Sequence, residues 1–247
     1  MSGPEPVLAI DAGNTRIKWG LRGGDGWLAT GAVATSDHEA LREQWAGIGR
    51  RPTAAIVSNV AGDATGAGIA SVLRAMAIDT RWHAASATCG GVINRYEQPE
   101  RLGPDRWAAL IGAWARCRGP CVVANCGTAT TIDALTPTGE FIGGVIAPGV
   151  DLMRTALTER VPALQGTPGR FAFFPANTAD AIASGAVYAA AGAILGVARR
   201  LDEWTGAAPR IVLTGGAAGQ VAPQLTGDIE IVERLVLEGL VVAMAAA

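Results

Sequence analysis

Three glycine turns and one acidic helix start hold the residues with chemical capacity. DAGNTRIK (11–18) follows the apolar run VLAI (7–10). Asp11, at a strand end, can bind a phosphate-held magnesium directly or through water. Gly13 lets the backbone approach an anion, and Asn14, Thr15 and successive amides can donate to phosphate oxygens. Lys18, one lysine beside nineteen arginines, adds a point charge. The same residues also suit an ordinary Asx-type hairpin turn. The segment is neither GxxxxGK[ST] nor GxGxxG. NCGTATTID (125–133) is a second such turn. There Thr128, Thr130 and Thr131 offer hydroxyls to a phosphate, or simply make a threonine-rich strand. LTGGAAG (213–219) is a third. Gly215 and Gly216 leave bare backbone for a flat base or ribose, or form a tight turn. Asp105-Arg106 follows Gly103-Pro104. That acid can orient an alcohol and take its proton late in a phosphoryl transfer, or serve as a first-turn acid beside a surface arginine.

The elements that must position these residues read as strands and helices in alternation. VLAI and IKWGL predict a hairpin around the first turn, and CVVAN (121–125) with TIDAL (131–135) a second, followed by EFIGGVIAPG. AAIVSNV (54–60) and IVLTGG (211–216) read as buried strands running into turns. Helices are expected over 38–47, 65–77, 105–116, 150–160, 178–204 and 233–247. Aligning Asp11 with Asn125 offsets the two hairpins by 114 positions, nearly half the chain. Two related halves follow, each opening with a hairpin whose turn faces a shared cleft.

Composition excludes several classes. Hydrophobic residues are 49% and charged residues 17% of 247, which excludes general disorder. With 20 basic and 22 acidic residues the net charge is −2, and no basic block exists, so no nucleic-acid partner is expected. Cys89, Cys117, Cys121 and Cys126 lack CxxC spacing, and His38 and His83 offer no ligand set, so no structural zinc is expected. MSGPEPVLAI lacks the pattern of a signal peptide. Residues 181–198 carry no charge over 18 positions, the length of a membrane span. Most are Ala or Gly, so a buried helix is expected and no membrane partner. The seven tryptophans are expected to pack.

The three turns together resemble those of the actin, sugar-kinase and Hsp70 ATPase superfamily. NRYEQPERLGPDRW (94–107), with DAGNTRIK, GTATTID and GGVIAPG (143–149), is more specific. Over essentially the whole chain the sequence resembles the type III pantothenate kinases. The resemblance implies an α/β fold of two duplicated ribonuclease-H-like, actin-like ATPase lobes with a central cleft. The N-terminal lobe is expected over 1–118 and the C-terminal lobe over 119–247. It implies ATP-dependent phosphorylation of pantothenate to 4′-phosphopantothenate, the first step of coenzyme A synthesis, in the cytoplasm. The alternatives are a regulatory or accessory protein on the same fold, or a related small-molecule kinase.

The resemblance also implies roles for single residues. Asp105 matches the catalytic acid that accepts the proton of the pantothenate hydroxyl. Tyr96, Gly103, Pro104, Arg106 and Thr178 match substrate contacts, Thr178 usually reaching the partner subunit's pocket in a homodimer. Asp11, Ala12, Gly13, Asn14, Thr15, Arg16, Ile17 and Lys18 match the first ATP loop, and Thr128 touches ATP phosphates. Gly143 to Gly149 match the segment that closes the second lobe. ATP with Mg2+ is implied, and a monovalent cation, K+ or NH4+. At the cation position the family usually has Asp, and here stands Asn125. That site is therefore weaker, absent or built differently; Asp133 is the nearest carboxylate in the motif.

Overall fold

A computed structural model describes residues 5–24, 26–164, 166 and 168–246. The expected start (1–4) and the last residue of the C-terminal helix lie outside the described residues. The chain divides into two units, Cys117–Glu233 and the remainder.

The first unit opens with the expected hairpin, β1 (Val7–Ala12) and β2 (Arg16–Gly23). β3 (Gly26–Ala34) follows, then α1 (Glu39–Ala46), β4 (Ala54–Asn59), α2 (Asp63–Ala75) and β5 (Asp79–Trp82). The strands form one sheet in the order β3-β2-β1-β4-β5. β1, β2 and β3 are antiparallel neighbours, whereas β4 and β5 run parallel to β1. One face carries Leu8, Ile10, Ala12, Ile17, Trp19, Ala55 and Val57, packed against Leu41, Trp45, Ile69 and Leu73 of α1 and α2. Trp19 and Trp45 meet edge to face at 6.2 Å, so these two tryptophans pack as expected. Trp82 and Trp204 are exposed instead. A short hairpin, β6 (Thr88–Cys89) and β7 (Val92–Asn94), precedes α3 (Pro104–Cys117). Proline at the first helical position lacks the amide that a helix start leaves unpaired.

The second unit repeats this plan. β8 (Cys121–Cys126) and β9 (Ala129–Leu135) form the second hairpin, and β10 (Glu140–Pro148) pairs antiparallel with β9. α4 (Val150–Arg160) and α5 (Thr178–Thr205) lead to β11 (Arg210–Thr214), α6 (Ala218–Val221) and β12 (Ile229–Ile231). Its strands run β10-β9-β8-β11-β12, with β11 parallel to β8 and β12 parallel to β11. Order and direction match the first sheet strand for strand. The uncharged stretch lies in α5, which has the length and hydropathy to cross a membrane. Ala186, Val187, Ala190, Ile194 and Leu201 pack it against β8 and β9, in one core cluster with Ile211 and Leu213 of β11.

Two sequence expectations differ from the structure. The C-terminal helix α7 (Leu235–Ala245) packs on β1, β2 and β4 and belongs to the first unit, not to a 119–247 lobe. Its apolar surface covers the sheet face opposite α1 and α2. Second, β3, β5, β6, β7 and β12 were not expected. β3 is rich in Ala and Gly, and the others have two to four residues, so period-2 patterning is weak or too short to read.

Candidate active site

In the first unit the site begins at the β1–β2 turn. Gly13 N–H donates to the Arg16 carbonyl at 3.1 Å, and Thr35 Oγ1 donates to the Gly13 carbonyl at 2.7 Å. Asn14, Thr15 and Arg16 stand exposed at the tip, Ala12 and Ile17 are buried, and Lys18 is half-buried opposite Asp11. Asp11 Oδ1 is shielded from solvent and has no hydrogen-bond partner. Burial, then the Asp105 carboxylate, push Asp11 up to about 7, while Lys18 pulls it down. The structure therefore brings Asp11, Lys18 and Asp105 into one electrostatic group.

Asp105 opens α3. Its Oδ1 accepts from Arg106 N–H at 2.8 Å. A Cβ on Gly103 would stand 2.8 Å from that oxygen, so the glycine leaves room for the carboxylate. Burial raises Asp105 above the ordinary carboxylate value, against the pull of backbone amides and the Arg106 charge. Arg106 is not a surface arginine: it is only 6% exposed. Its Nη1 donates to Tyr96 Oη at 3.2 Å, and its guanidinium lies 5.7 Å from the centre of the Tyr96 ring. Tyr96 is half-buried in the bend after β7. Asn94 holds that bend: its Oδ1 accepts from Tyr96 N–H, and its Nδ2 donates to the Ser86 and Pro99 carbonyls. Sequence reasoning missed Asn94, whose sequence signal is no more than an amide at the head of the motif; its burial is seen only in the structure.

In the second unit Asn125 is the next-to-last residue of β8, half-buried, and Thr128 is exposed at the β8–β9 tip. Thr130 is buried and its Oγ1 has no partner. The Gly215 turn lies against this loop. A Cβ there would stand 2.5 Å from the Cys126 carbonyl and 2.8 Å from Asn125 Oδ1, and its φ is +92°. Only glycine fits both demands. Ala217 N–H donates to the Cys126 carbonyl at 3.0 Å, and Gly149 N–H to the Thr128 carbonyl at 3.0 Å. The second loop, the Gly215 turn and the end of the Gly143–Gly149 segment thus converge. Asp133 stands two positions beyond Thr131, the residue that pairs with Asn125. It is buried in β9 opposite Val123, its carboxylate against Gly144 of β10. Thr178 is exposed at the first position of α5. It is not the cap: Asn177 is, its Oδ1 accepting from Asp180 N–H at 2.9 Å.

Among the described residues no group of three or more His, Cys, Asp and Glu could hold a metal ion. Magnesium in a phosphoryl-transfer site keeps several waters and takes one or two carboxylates plus phosphates. The unpartnered Oδ1 of Asp11, near a second carboxylate, fits that need.

The sequence profile of the type III pantothenate kinases matches residues 7–200. The chain belongs to the type III pantothenate kinase family. A type III pantothenate kinase of Nitrosospira multiformis is 44% identical over 95% of this chain and 89% of its own length. One from Aromatoleum aromaticum is 46% identical over 96% of each chain. Among solved structures, the ethanolamine utilization protein EutJ of Carboxydothermus hydrogenoformans superposes with a TM-score of 0.60 at 13% identity, covering 98% of this chain and 90% of that one. A glucokinase from an Antarctic psychrotroph gives 0.52 at 12%, covering 99% and 100%. The fold is that of the actin-like ATPases and sugar kinases, and the family makes the chain a kinase rather than an accessory protein.

Proposed function

We propose that the chain transfers the γ-phosphoryl group of ATP to the primary hydroxyl of pantothenate, giving 4′-phosphopantothenate and ADP. The observation that supports this most directly is Asp105 at the head of α3, held by the Arg106 amide and raised by burial. A carboxylate raised above its ordinary value is a better proton acceptor. As the oxygen–phosphorus bond forms and the bond to the ADP oxygen breaks, Asp105 takes the hydroxyl proton. Transfer through a loose transition state depends on positioning and charge more than on basicity. Arg106 and Tyr96, locked to each other, give the substrate pocket a fixed cation and ring. In the first unit the β1–β2 tip and Lys18 are suited to hold phosphate; in the second, Thr128 and the Gly215 turn are likewise suited to contact a nucleotide. Asp11 would hold Mg2+, which neutralises phosphate charge when bound.

We infer weak dependence on K+ or NH4+, because Asn125 offers an amide oxygen without a full charge. We also infer a homodimer. Thr178, Ala181, Gly185, Tyr188, Ala189 and Gly192 form one exposed stripe on α5. Beside it Phe173 and Phe174 are 66% and 96% exposed, and Tyr188 Oη donates to the Phe173 carbonyl. Thr178 heads this stripe, where a second copy would meet it. A cytoplasmic enzyme acting on pantothenate and ATP, without nucleic acid or membrane, suits the packing of α5 into its own unit.

The test is ADP release with and without pantothenate, over a potassium series, for the native chain and Asp105→Asn. The variant should lose about 10²–10⁴-fold in kcat while binding ATP unchanged. Pantothenate-independent turnover, or full activity in the variant, would defeat the assignment.

A further inference from the structure

The sheet of the first unit carries a polar row on the face that α7 covers. Strand pairing sets Lys18 beside Asp11 and Asp11 beside Ser58. The alternate residues Leu8, Ile10, Ala12, Ala55 and Val57 all face α1 and α2, so Asp11 and Ser58 share the opposite face. Val57 pairs with Trp82, and His83 N–H donates to the Val57 carbonyl at 2.8 Å, so His83 continues the row.

Three atoms in that row are buried without a hydrogen-bond partner: Asp11 Oδ1, Ser58 Oγ and His83 Nε2. Ser58 is wholly buried, and its strand neighbours Ala55, Ile56 and Val57 are apolar. A shielded hydroxyl with no partner loses its hydrogen bonds to water and is destabilising. An alanine would avoid that cost, so the hydroxyl makes physical sense if a neighbouring acceptor turns to it when the ligands bind. Neighbouring strands lie about 4.8 Å apart, which puts the Asp11 carboxylate within reach of Ser58 Oγ by a change of staggered rotamer.

We propose that Ser58 is a positioning residue: its hydroxyl donates to the Asp11 carboxylate when the magnesium–nucleotide complex binds, orienting the oxygen that holds the cation. Ser58 touches neither pantothenate nor the transferred phosphoryl group. This rests on Asp11 being the cation ligand.

The experiment compares the native chain, Ser58→Ala and Asp11→Asn in three measurements. These are Mn2+ binding in the presence of ADP by electron paramagnetic resonance, the melting midpoint without ligands, and KM for pantothenate. Loss of such a supporting contact typically weakens metal affinity about 10–100-fold. Ser58→Ala should therefore bind Mn2+ at least tenfold more weakly, melt at the native temperature or above it, and keep its KM for pantothenate. Unchanged Mn2+ affinity in Ser58→Ala with weakened affinity in Asp11→Asn overturns the Ser58 proposal alone. Unchanged affinity in both removes Asp11 from the cation site. A melting midpoint several degrees lower in Ser58→Ala, or a change confined to KM for pantothenate, also overturns the proposal.

Discussion

Asp11 combines three conflicting demands at the residue scale: it is buried, it neighbours Asp105, and Lys18 draws it back. Its native value of about 7 lies above the ordinary 3.8, so between those values the native state holds a proton that the unfolded chain has released. Stability then falls as pH rises from about 4 to 7 and is level above. His83 works in the opposite sense. Burial, helped by Arg81, lowers it from 6.5 to about 4. Its contribution is present above 6.5 and is lost as pH falls towards 4. The two partly cancel in the native chain, and a variant separates them. Asp11→Asn should match the native melting midpoint near pH 4 and exceed it at pH 8, with about 2–4 °C for each kcal/mol. Thermal unfolding across that range checks this; equal midpoints at pH 8 would remove the burial penalty on Asp11.

At the scale of elements, the start of α5 separates a stabilising residue from its neighbour. Asn177 caps the helix and also donates from Nδ2 to Asp180 Oδ2 at 2.7 Å, while Asp180 Oδ1 accepts from Arg170 N–H. Asn177→Ala should cost about 1 kcal/mol, a fall of roughly 2–4 °C in melting midpoint. Thr178→Ala, one position on, should leave the midpoint unchanged and raise KM for pantothenate several-fold. Calorimetry and steady-state kinetics on both variants read the two effects separately. A fall in midpoint for Thr178→Ala with unaltered KM would make Thr178 a structural residue. The turn at Gly215 makes the same point at the end of β11. Its bare backbone is needed by the loop beside it.

For the whole molecule, the exposed aromatic group of the second unit is the feature that most needs a partner. Phe171 packs edge-on against Phe173 at 5.6 Å and against Tyr188 at 5.4 Å, yet Phe174 points to solvent. Exposed aromatic clusters of this kind mark association surfaces. Sedimentation should show a dimer, and Phe174→Asp should shift it towards monomer with a raised KM for pantothenate. A native monomer with full activity would rule out shared pockets.

The sequence by itself determined the two hairpins and their kinship, and it offered roles to Asp11, Asp105 and the glycine turns. Those signals are local: a turn needs particular residues at particular places, and a strand or helix of ordinary length carries its own period. Tertiary structure alone decided that α7 returns to the first sheet, because an apolar helix does not state which face it covers. It also decided that Arg106 is buried against Tyr96, that Asn94 secures their bend, and that Ser58 stands beside Asp11. Each depends on strand register or on contacts between distant segments, and a single polar residue in an apolar strand does not announce its neighbour.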